Sequence, residues 1–253
     1  MNTNVQHTID SSLKRLSSAL AAGRSETLTD YLRAMARFHD YSWFNVMMIF
    51  TQRPEATRVA GYNTWKKVGR WVMRGQKGIV ILAPLLKKDE EGNRDLYGFK
   101  AVRVYDIRQT DGRSLPEFDS VHGDPGRFTQ SLAALAHDQG IEVEYVDSLG
   151  GPDGVSQGGK VMVCKDLPEG EQFAVLAHEL AHELMHRGER KASKKTKELE
   201  AEAVAFVVCS VLGLDTYSRS RDYIGLYGGS AEALADSLQH IQQTVKFMLS
   251  AVI

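Results

Sequence analysis

An HExxH motif at residues 178–182 constrains this chain more than any other stretch. It lies in a segment without proline or glycine, residues 171–186, whose apolar residues recur at helical spacing. Residues four apart share one face of a helix, so His178 and His182 can bind a single zinc ion. Zinc acidifies a water molecule, and the carboxylate of Glu179 between the two ligands accepts its proton. The motif therefore predicts a zinc-dependent hydrolytic site; the alternative is a surface helix with two solvated histidines.

Zinc hydrolases use three protein ligands and one open position, so a third ligand must come from elsewhere in the chain. The third histidine of a metzincin would fall at Gly188, which excludes that class. His186 lies about 12 Å from His178 along a rigid helix, too far to share the metal. The next predicted helix, residues 197–208, opens with three carboxylates: Glu198, Glu200 and Glu202.

Two of these carboxylates, Glu198 and Glu202, lie on the same face of the predicted helix, whereas Glu200 points elsewhere. A glutamate ligand followed one turn later by a carboxylate that accepts a histidine N–H is chemically reasonable. The alternative is that all three are solvated acids, which the helix dipole favours in a first turn. The residues alone leave the identity of the third ligand open.

Charge divides the chain into unlike halves. Residues 1–115 contain 19 Lys and Arg against 11 Asp and Glu, a net charge of +8, and residues 116–253 have a net charge of −9. Residues 109–126 are polar and lack periodicity, so we place a domain boundary there. Such asymmetry indicates that the first domain, residues 1–115, meets a polyanion.

The acid-free segment, residues 56–88, carries eight cations with Tyr62, Trp65 and Trp71 among them. Cations pair with phosphates and aromatic faces stack on unpaired bases, which together suit single-stranded nucleic acid. The alternative places the tryptophans in the core beneath ordinary surface cations. The candidate DNA-binding residues are Tyr62, Trp65, Lys66, Lys67, Arg70, Trp71, Arg74 and Lys77.

Composition excludes several classes of protein. Hydrophobic residues make up 43% of the 253 residues, as in an ordinary globular protein. No run of 18 apolar residues occurs and the first ten residues lack the form of a signal peptide, so we expect no membrane partner. Cys164 and Cys209 form no CxxC pair and lie in apolar surroundings, as is typical of a reducing compartment. We expect a cytoplasmic protein.

Periodicity predicts an α+β protein. In the first domain it predicts a helix around Leu13, Leu16 and Leu20, and helical residues 25–50 with a break at 40–42. Strands over 79–84 and 96–106 are predicted to form a hairpin with its turn at 89–93. The second domain is predicted to contain a helix, a strand, a hairpin, the two ligand helices and a final helix: 128–138, 141–146, 155–164, 171–186, 197–208 and 231–249.

Three stretches of the first domain resemble the N-terminal domain of ArdC-type antirestriction proteins. They are YSWFN at residues 41–45, GYNTW at 61–65 and GRWVMRGQKG at 69–78. The second half resembles the zinc-peptidase-like domain of the same proteins, which is related to the ImmA/IrrE metallopeptidases. The resemblance implies a single-stranded-DNA-binding domain joined to a zincin-like domain. It also implies a glutamate third ligand with a polar residue four positions later, which corresponds to Glu198 and Glu202.

The predicted function is that of a single-stranded-DNA-binding protein of the antirestriction type with a zinc metallopeptidase-like domain over residues 116–253. Two other functions fit the same residues. One is an ImmA/IrrE-like metallopeptidase that cleaves a repressor, with the basic segment docking the protein substrate. The other is a DNA-binding protein whose zinc is structural and catalytically unused.

Overall fold

The computed structural model describes residues 3–22, 26–88, 94–115, 124–188, 192–214 and 230–253. The chain divides into two compact units. The first comprises residues 1–16 and 41–117, and the second comprises residues 17–40 and 118–253. The predicted boundary within residues 109–126 kept residues 17–40 with the first domain, whereas in the structure they cluster with the second unit.

Three helices begin the chain: α1 (Thr3–Ala21), α2 (Glu26–Arg37) and α3 (Trp43–Gln52). The predicted leucine stripe of α1 is buried. The predicted break at 40–42 is confirmed, because the Ser42 hydroxyl accepts the N–H of Asn45 and caps the start of α3. A side-chain oxygen at this position satisfies a backbone N–H that has no partner within the helix.

The first unit is built on an antiparallel sheet of three strands: β1 (Val59–Gly61), β3 (Ile79–Lys88) and β4 (Arg94–Asp106). The strand order is β1-β4-β3. The predicted hairpin is confirmed, and its turn at 89–93 lies outside the described residues. The amides of Asn45 and Gln52 on α3 bond both backbone groups of Leu82 and Val80, so side chains of the helix cover the free edge of β3.

A second, smaller ribbon in the first unit was not predicted. A short helix, α4 (Tyr62–Lys67), leads into β2 (Arg70–Val72), and β2 pairs antiparallel with β5 (Thr110–Gly112). The lack of periodicity over residues 109–126 predicted no strand there, which is wrong for β5. A strand of three residues is too short to show alternation, and it depends on a partner about 40 residues away.

In the residues that the structure describes, the second unit contains helix α2, a mixed sheet and the helices that pack with it. Helix α5 (Pro125–Asp138) precedes β6 (Glu142–Val146), β7 (Gly154–Ser156) and β8 (Lys160–Cys164). The predicted hairpin is formed by β7 and β8, and β6 joins the other side of β8 in parallel. Three helices follow: α6 (Glu169–His186), α7 (Lys194–Val211) and α8 (Ala231–Val252). The predicted α+β class is confirmed, and helices are present where they were predicted over residues 171–186 and 197–208.

Glu183 ties the β7–β8 hairpin to α6. Its buried carboxylate accepts hydrogen bonds from the Ser156 hydroxyl at 2.9 Å and from the backbone N–H groups of Gly158 and Gly159 at 2.8 and 2.6 Å. At the other end of β7, Gly154 packs directly on α6. A Cβ at this position would overlap Cγ1 of Val175 and lie 2.9 Å from Cγ of Glu179. The strand therefore lies across the HExxH segment at close range.

Among the described residues, no helix is long and apolar enough to cross a membrane.

We expect Gly154→Ala to destabilise the second unit by about 1–3 kcal/mol, the usual cost of overpacking a tight contact. The added methyl must push β7 away from α6, since Val175 is β-branched and has little freedom to move. Chemical denaturation of the full chain measures the free energy of unfolding. Gly188→Ala is the matched control, because a Cβ at Gly188 meets nothing within 4 Å. Equal stability of Gly154→Ala and wild type would show that the contact is not tight.

Candidate metal centre and nucleic-acid interface

Three side chains of α6 and α7 converge in the second unit. A ring nitrogen from each of His178 and His182 and a carboxylate oxygen of Glu198 all lie within 4.8 Å of one another. The two Nε2 atoms are 3.2 Å apart. Oε2 of Glu198 lies 3.7 Å from Nε2 of His178 and 3.5 Å from Nε2 of His182. The predicted ligands are thus brought together, and Glu198 is the carboxylate placed with both histidines.

These distances fit a divalent metal. A tetrahedral zinc ion with bonds of about 2.0–2.1 Å has ligand atoms about 3.3 Å apart along each edge. The three observed edges of 3.2, 3.5 and 3.7 Å lie close to that value. Two imidazoles and one carboxylate are also a ligand set that zinc hydrolases use.

The pKa values of the two histidines are shifted in opposite directions. Burial and the neighbouring His178 lower the pKa of His182 to about 4, against the opposing effect of Glu198. Burial also lowers the pKa of His178, but the carboxylates of Glu202, Glu179 and Glu198 outweigh it and raise the pKa overall. A neutral ring has the free lone pair that a metal ligand needs, so His182 is ready to bind at neutral pH.

Glu179 lies between the two ligands in the motif and beside strand β7. Burial raises its pKa above the ordinary value for a glutamate, against the opposing effects of His178 and of the backbone N–H of Ser156. A carboxylate whose pKa is closer to neutral is a better proton acceptor for water at that pH. The position and environment of Glu179 suit the role of general base.

Glu202 is buried behind His178. Its Oε2 lies 3.3 Å from Nδ1 of His178, the ring nitrogen that faces away from the cluster. This is the supporting position that the sequence predicts for the carboxylate one turn after Glu198.

His182 has a partner behind its ring, His186, that was not predicted from the sequence. Nδ1 of His182 lies 3.1 Å from Nδ1 of His186, and Nε2 of His186 lies 2.9 Å from Oε2 of Glu200. His186 does not approach the metal position, as expected from its distance along the helix. Glu200 does point away from Glu198 and Glu202, yet it points into the second unit and is fully buried there. The HExxHxxxH spacing was visible in the sequence, but the position of Glu200 was not.

The candidate DNA-binding residues of the first unit fall into two groups. Trp65 belongs to the core, which corrects its assignment as a stacking residue. Its ring is 4% exposed, and its indole N–H donates to the backbone oxygen of Tyr105 at 2.8 Å. Arg70 is also committed to the fold. Its guanidinium donates to the Thr110 hydroxyl and to the backbone oxygens of Thr110 and Arg113, which hold β5 against β2.

The remaining candidates are exposed. Tyr62 and Trp71 expose half or more of their surface, 50% and 54%. The four lysine and arginine side chains in this group are Lys66, Lys67, Arg74 and Lys77. A tryptophan with this exposed fraction is unusual on a protein surface, and its ring suits contact with a flat partner.

A cavity of about 740 Å³ lies beside α4 and the ribbon. Its lining includes Lys66 and Lys67 at the end of α4 and Arg113 just after β5. Arg113 was missed by sequence reasoning, because it lies beyond the acid-free segment and next to Asp111 and Gly112. The fold therefore gathers three cations from distant parts of the sequence at one concave surface.

Comparison with known proteins gives a family match over the N-terminal part of the chain and a shared fold over the whole chain. Residues 2–112 match the model of the N-terminal domain of anti-restriction factor ArdC. The chain also shares the fold of the crystal structure of antirestriction ArdC protein from plasmid R388. For the metal-free structure the TM-score is 0.59 at 19% identity, covering 100% of this chain and 98% of that chain. For the Mn(II)-bound structure the values are 0.59 and 19%, covering 98% and 97%.

A similar protein of known sequence is longer than this chain. An uncharacterized protein of Bacillus anthracis, pXO2-81, is 24% identical over 282 residues. The match covers 90% of this chain and 48% of that protein, so the chain spans about half the length of this relative. Residues 2–112 thus match the N-terminal domain of anti-restriction factor ArdC, and the chain shares the fold of the R388 ArdC protein.

Proposed function

We propose that the second unit holds a zinc-dependent, metallopeptidase-like centre with His178, His182 and Glu198 as ligands. The observation that carries this proposal is the convergence of their three ligand atoms within 4.8 Å, with Glu179 beside them. When bound, zinc supplies Lewis-acid chemistry, since it polarises a carbonyl and lowers the pKa of a water molecule. Glu179 would be the residue that accepts a proton from the attacking water and gives one to the leaving amine.

The choice of zinc rests on the ligand set. The R388 ArdC protein has a crystal structure with Mn(II) bound, which supports a divalent metal in this family. Imidazole suits zinc, whereas manganese prefers sites built from carboxylate, carbonyl and water oxygens. Two nitrogen ligands and one oxygen ligand therefore favour zinc over manganese at equal availability.

We also propose that the first unit binds single-stranded DNA. The cavity lined by Lys66, Lys67 and Arg113 can follow a phosphate backbone, and the exposed Trp71 and Tyr62 offer faces on which unpaired bases stack. Stacking faces favour single strands, because the bases of a duplex are already stacked on each other. Arg74 and Lys77 add exposed positive charge on the loop that follows β2.

Together these features support a role in protecting DNA from restriction, through binding of exposed single strands. The metal centre supplies a separate, hydrolytic activity. Glu179→Gln separates the two, because it removes the proposed base while the first unit keeps all its residues. DNA protection that survives in this variant would favour protection by binding alone. Protection lost with intact DNA binding would make hydrolysis of a protein partner part of the function.

Metal binding is tested with glutamate variants of the full chain. Glu198→Gln should abolish tight zinc binding, because it removes a ligand charge. Glu202→Gln should weaken binding by about 10–100-fold, as loss of a group supporting a ligand does. Competition titration with a zinc chelator measures both affinities. The temperature of thermal unfolding should fall when EDTA removes the metal, since the metal binds the folded form.

Glu171→Gln is the matched control for these variants, because Glu171 is an exposed glutamate on the same helix as the histidines. Its zinc affinity should equal that of wild type. Wild-type affinity in Glu198→Gln would remove Glu198 from the ligand set. A wild-type chain that takes up no divalent metal and melts identically with EDTA would overturn the whole site.

DNA binding is tested by its salt dependence on the full chain, because residues 17–40 belong to the second unit and truncation at 115 would divide that unit. Lys66→Gln, Lys67→Gln and Arg113→Gln should each lower the slope of log affinity against log salt by about 0.7, as expected for one phosphate contact on a single strand. Trp71→Ala should cost about 1–3 kcal/mol and leave the slope unchanged.

Two control variants accompany this measurement. Arg53→Gln removes a cation of the same unit whose Nε lies 3.6 Å from Glu55, so the salt slope should stay at the wild-type value. Trp71→Phe keeps an aromatic face and should retain most of the affinity that Trp71→Ala loses. Equal affinity for duplex and single strands, or an unchanged slope in all three cavity variants, would contradict the proposed interface.

A further inference from the structure

His186 and Glu200 form a buried pair directly behind His182. The side chains of His186 and Glu200 are 5% and 0% exposed. Nε2 of His186 lies 2.9 Å from Oε2 of Glu200, and Nδ1 of His186 lies 3.1 Å from Nδ1 of His182. The three side chains thus form an uninterrupted path from a buried carboxylate to a proposed ligand.

Donor and acceptor chemistry fixes the direction of these hydrogen bonds. An ionised carboxylate only accepts, so Nε2 of His186 must donate to Glu200. A neutral imidazole with its proton on Nε2 has an acceptor at Nδ1. With His186 in this neutral form, Nδ1 of His182 donates to it, which leaves Nε2 of a neutral His182 with a free lone pair.

That lone pair belongs to the nitrogen that faces the metal position. Nε2 of His182 is 3.2 Å from Nε2 of His178 and 3.5 Å from Oε2 of Glu198. We propose that Glu200 and His186 are positioning residues that hold His182 in its Nδ1–H tautomer and orient its ring toward zinc. This inference rests on the zinc site proposed above and adds to it the residues that prepare one ligand.

The two ligand histidines are then supported in parallel ways from the same helix. His178 has Glu202 behind its Nδ1, at 3.3 Å. His182 has Glu200 behind its Nδ1, with the ring of His186 inserted between them. Partners that fix the tautomer and orientation of a ligand imidazole also raise its basicity toward the metal. Without them, His182 is free to place its proton on Nε2, which blocks metal binding at that atom.

A purely structural role for the pair is the competing explanation, and a double-mutant cycle distinguishes them. His186→Phe keeps a ring in the buried space but removes both nitrogens, and Glu200→Gln removes the charge with little change in shape. Each variant of the full chain should bind zinc about 10–100-fold more weakly than wild type, measured by chelator competition. The double variant should be no weaker than His186→Phe alone, because Glu200 acts through His186.

Three outcomes of this cycle would overturn the proposal. The first is wild-type zinc affinity in both single variants, even if their metal-free forms melt earlier. The second is additive losses of affinity in the double variant, which would show that Glu200 acts on the metal independently of His186. The third is a similar loss in His137→Phe, the matched control, since His137 is an exposed histidine in the last turn of α5.

The tautomers themselves can be measured on the wild-type chain, so the test does not depend on variants that fold. Long-range proton–nitrogen correlation spectra of the zinc-loaded protein should show His186 neutral and protonated on Nε2. In the metal-free protein they should also show His182 protonated on Nδ1. A proton on Nδ1 of His186 in either state would overturn the proposed positioning role of His186 and Glu200. If the wild-type chain binds no zinc, that result contradicts the proposed zinc site. The metal-free spectra still show whether His186 and Glu200 hold His182 in its Nδ1–H tautomer.

Discussion

The burial of three carboxylates is the constraint on which the second unit depends. Glu183, Glu200 and Glu202 are 4%, 0% and 4% exposed, and an unpaired buried carboxylate costs several kcal/mol. Glu183 accepts hydrogen bonds from backbone N–H groups of the β7–β8 hairpin. Glu200 is paired with the imidazole of His186, and Glu202 with that of His178, both on α6. Meeting this constraint fixes α6, α7 and the hairpin relative to one another, and the same contacts hold His178 and His182, the two histidines proposed as ligands, in place.

Helical spacing explains how much of the metal site the sequence predicts. Residues four apart on a helix have a fixed relation, so the pairing of His178 with His182 and the shared face of Glu198 and Glu202 follow from the sequence. Glu200 depends instead on how α7 packs against α6, which is a tertiary property. The parallel pairing of β6 with β8 and the three-residue strand β5 have the same origin, since both depend on partners that are not adjacent in the sequence.

The basic segment shows the opposite limit, because charge and composition cannot separate structural cations from binding ones. Arg70 lies among the other cations in the sequence, yet its donors are spent on Thr110 and Arg113. Arg113 stands next to acidic and glycine residues, yet it lines the cavity with Lys66 and Lys67. The two observations are linked, since Arg70 donates to the backbone oxygen of Arg113 and helps the β2–β5 pairing to hold Arg113 near the end of α4.

Exposure around the proposed metal centre favours a catalytic over a structural role for the proposed ion. A structural zinc site is closed by four protein ligands, whereas a catalytic site keeps a position for water or substrate. In the part of the chain that the structure describes, three ligand groups converge, and the third, Glu198, has a side chain that is 52% exposed. The rear of the site is different, because Glu200, Glu202 and His186 are buried. Buried side chains thus lie behind the two histidines, and the exposed Glu198 lies on the other side, as the proposed hydrolytic role of the site requires.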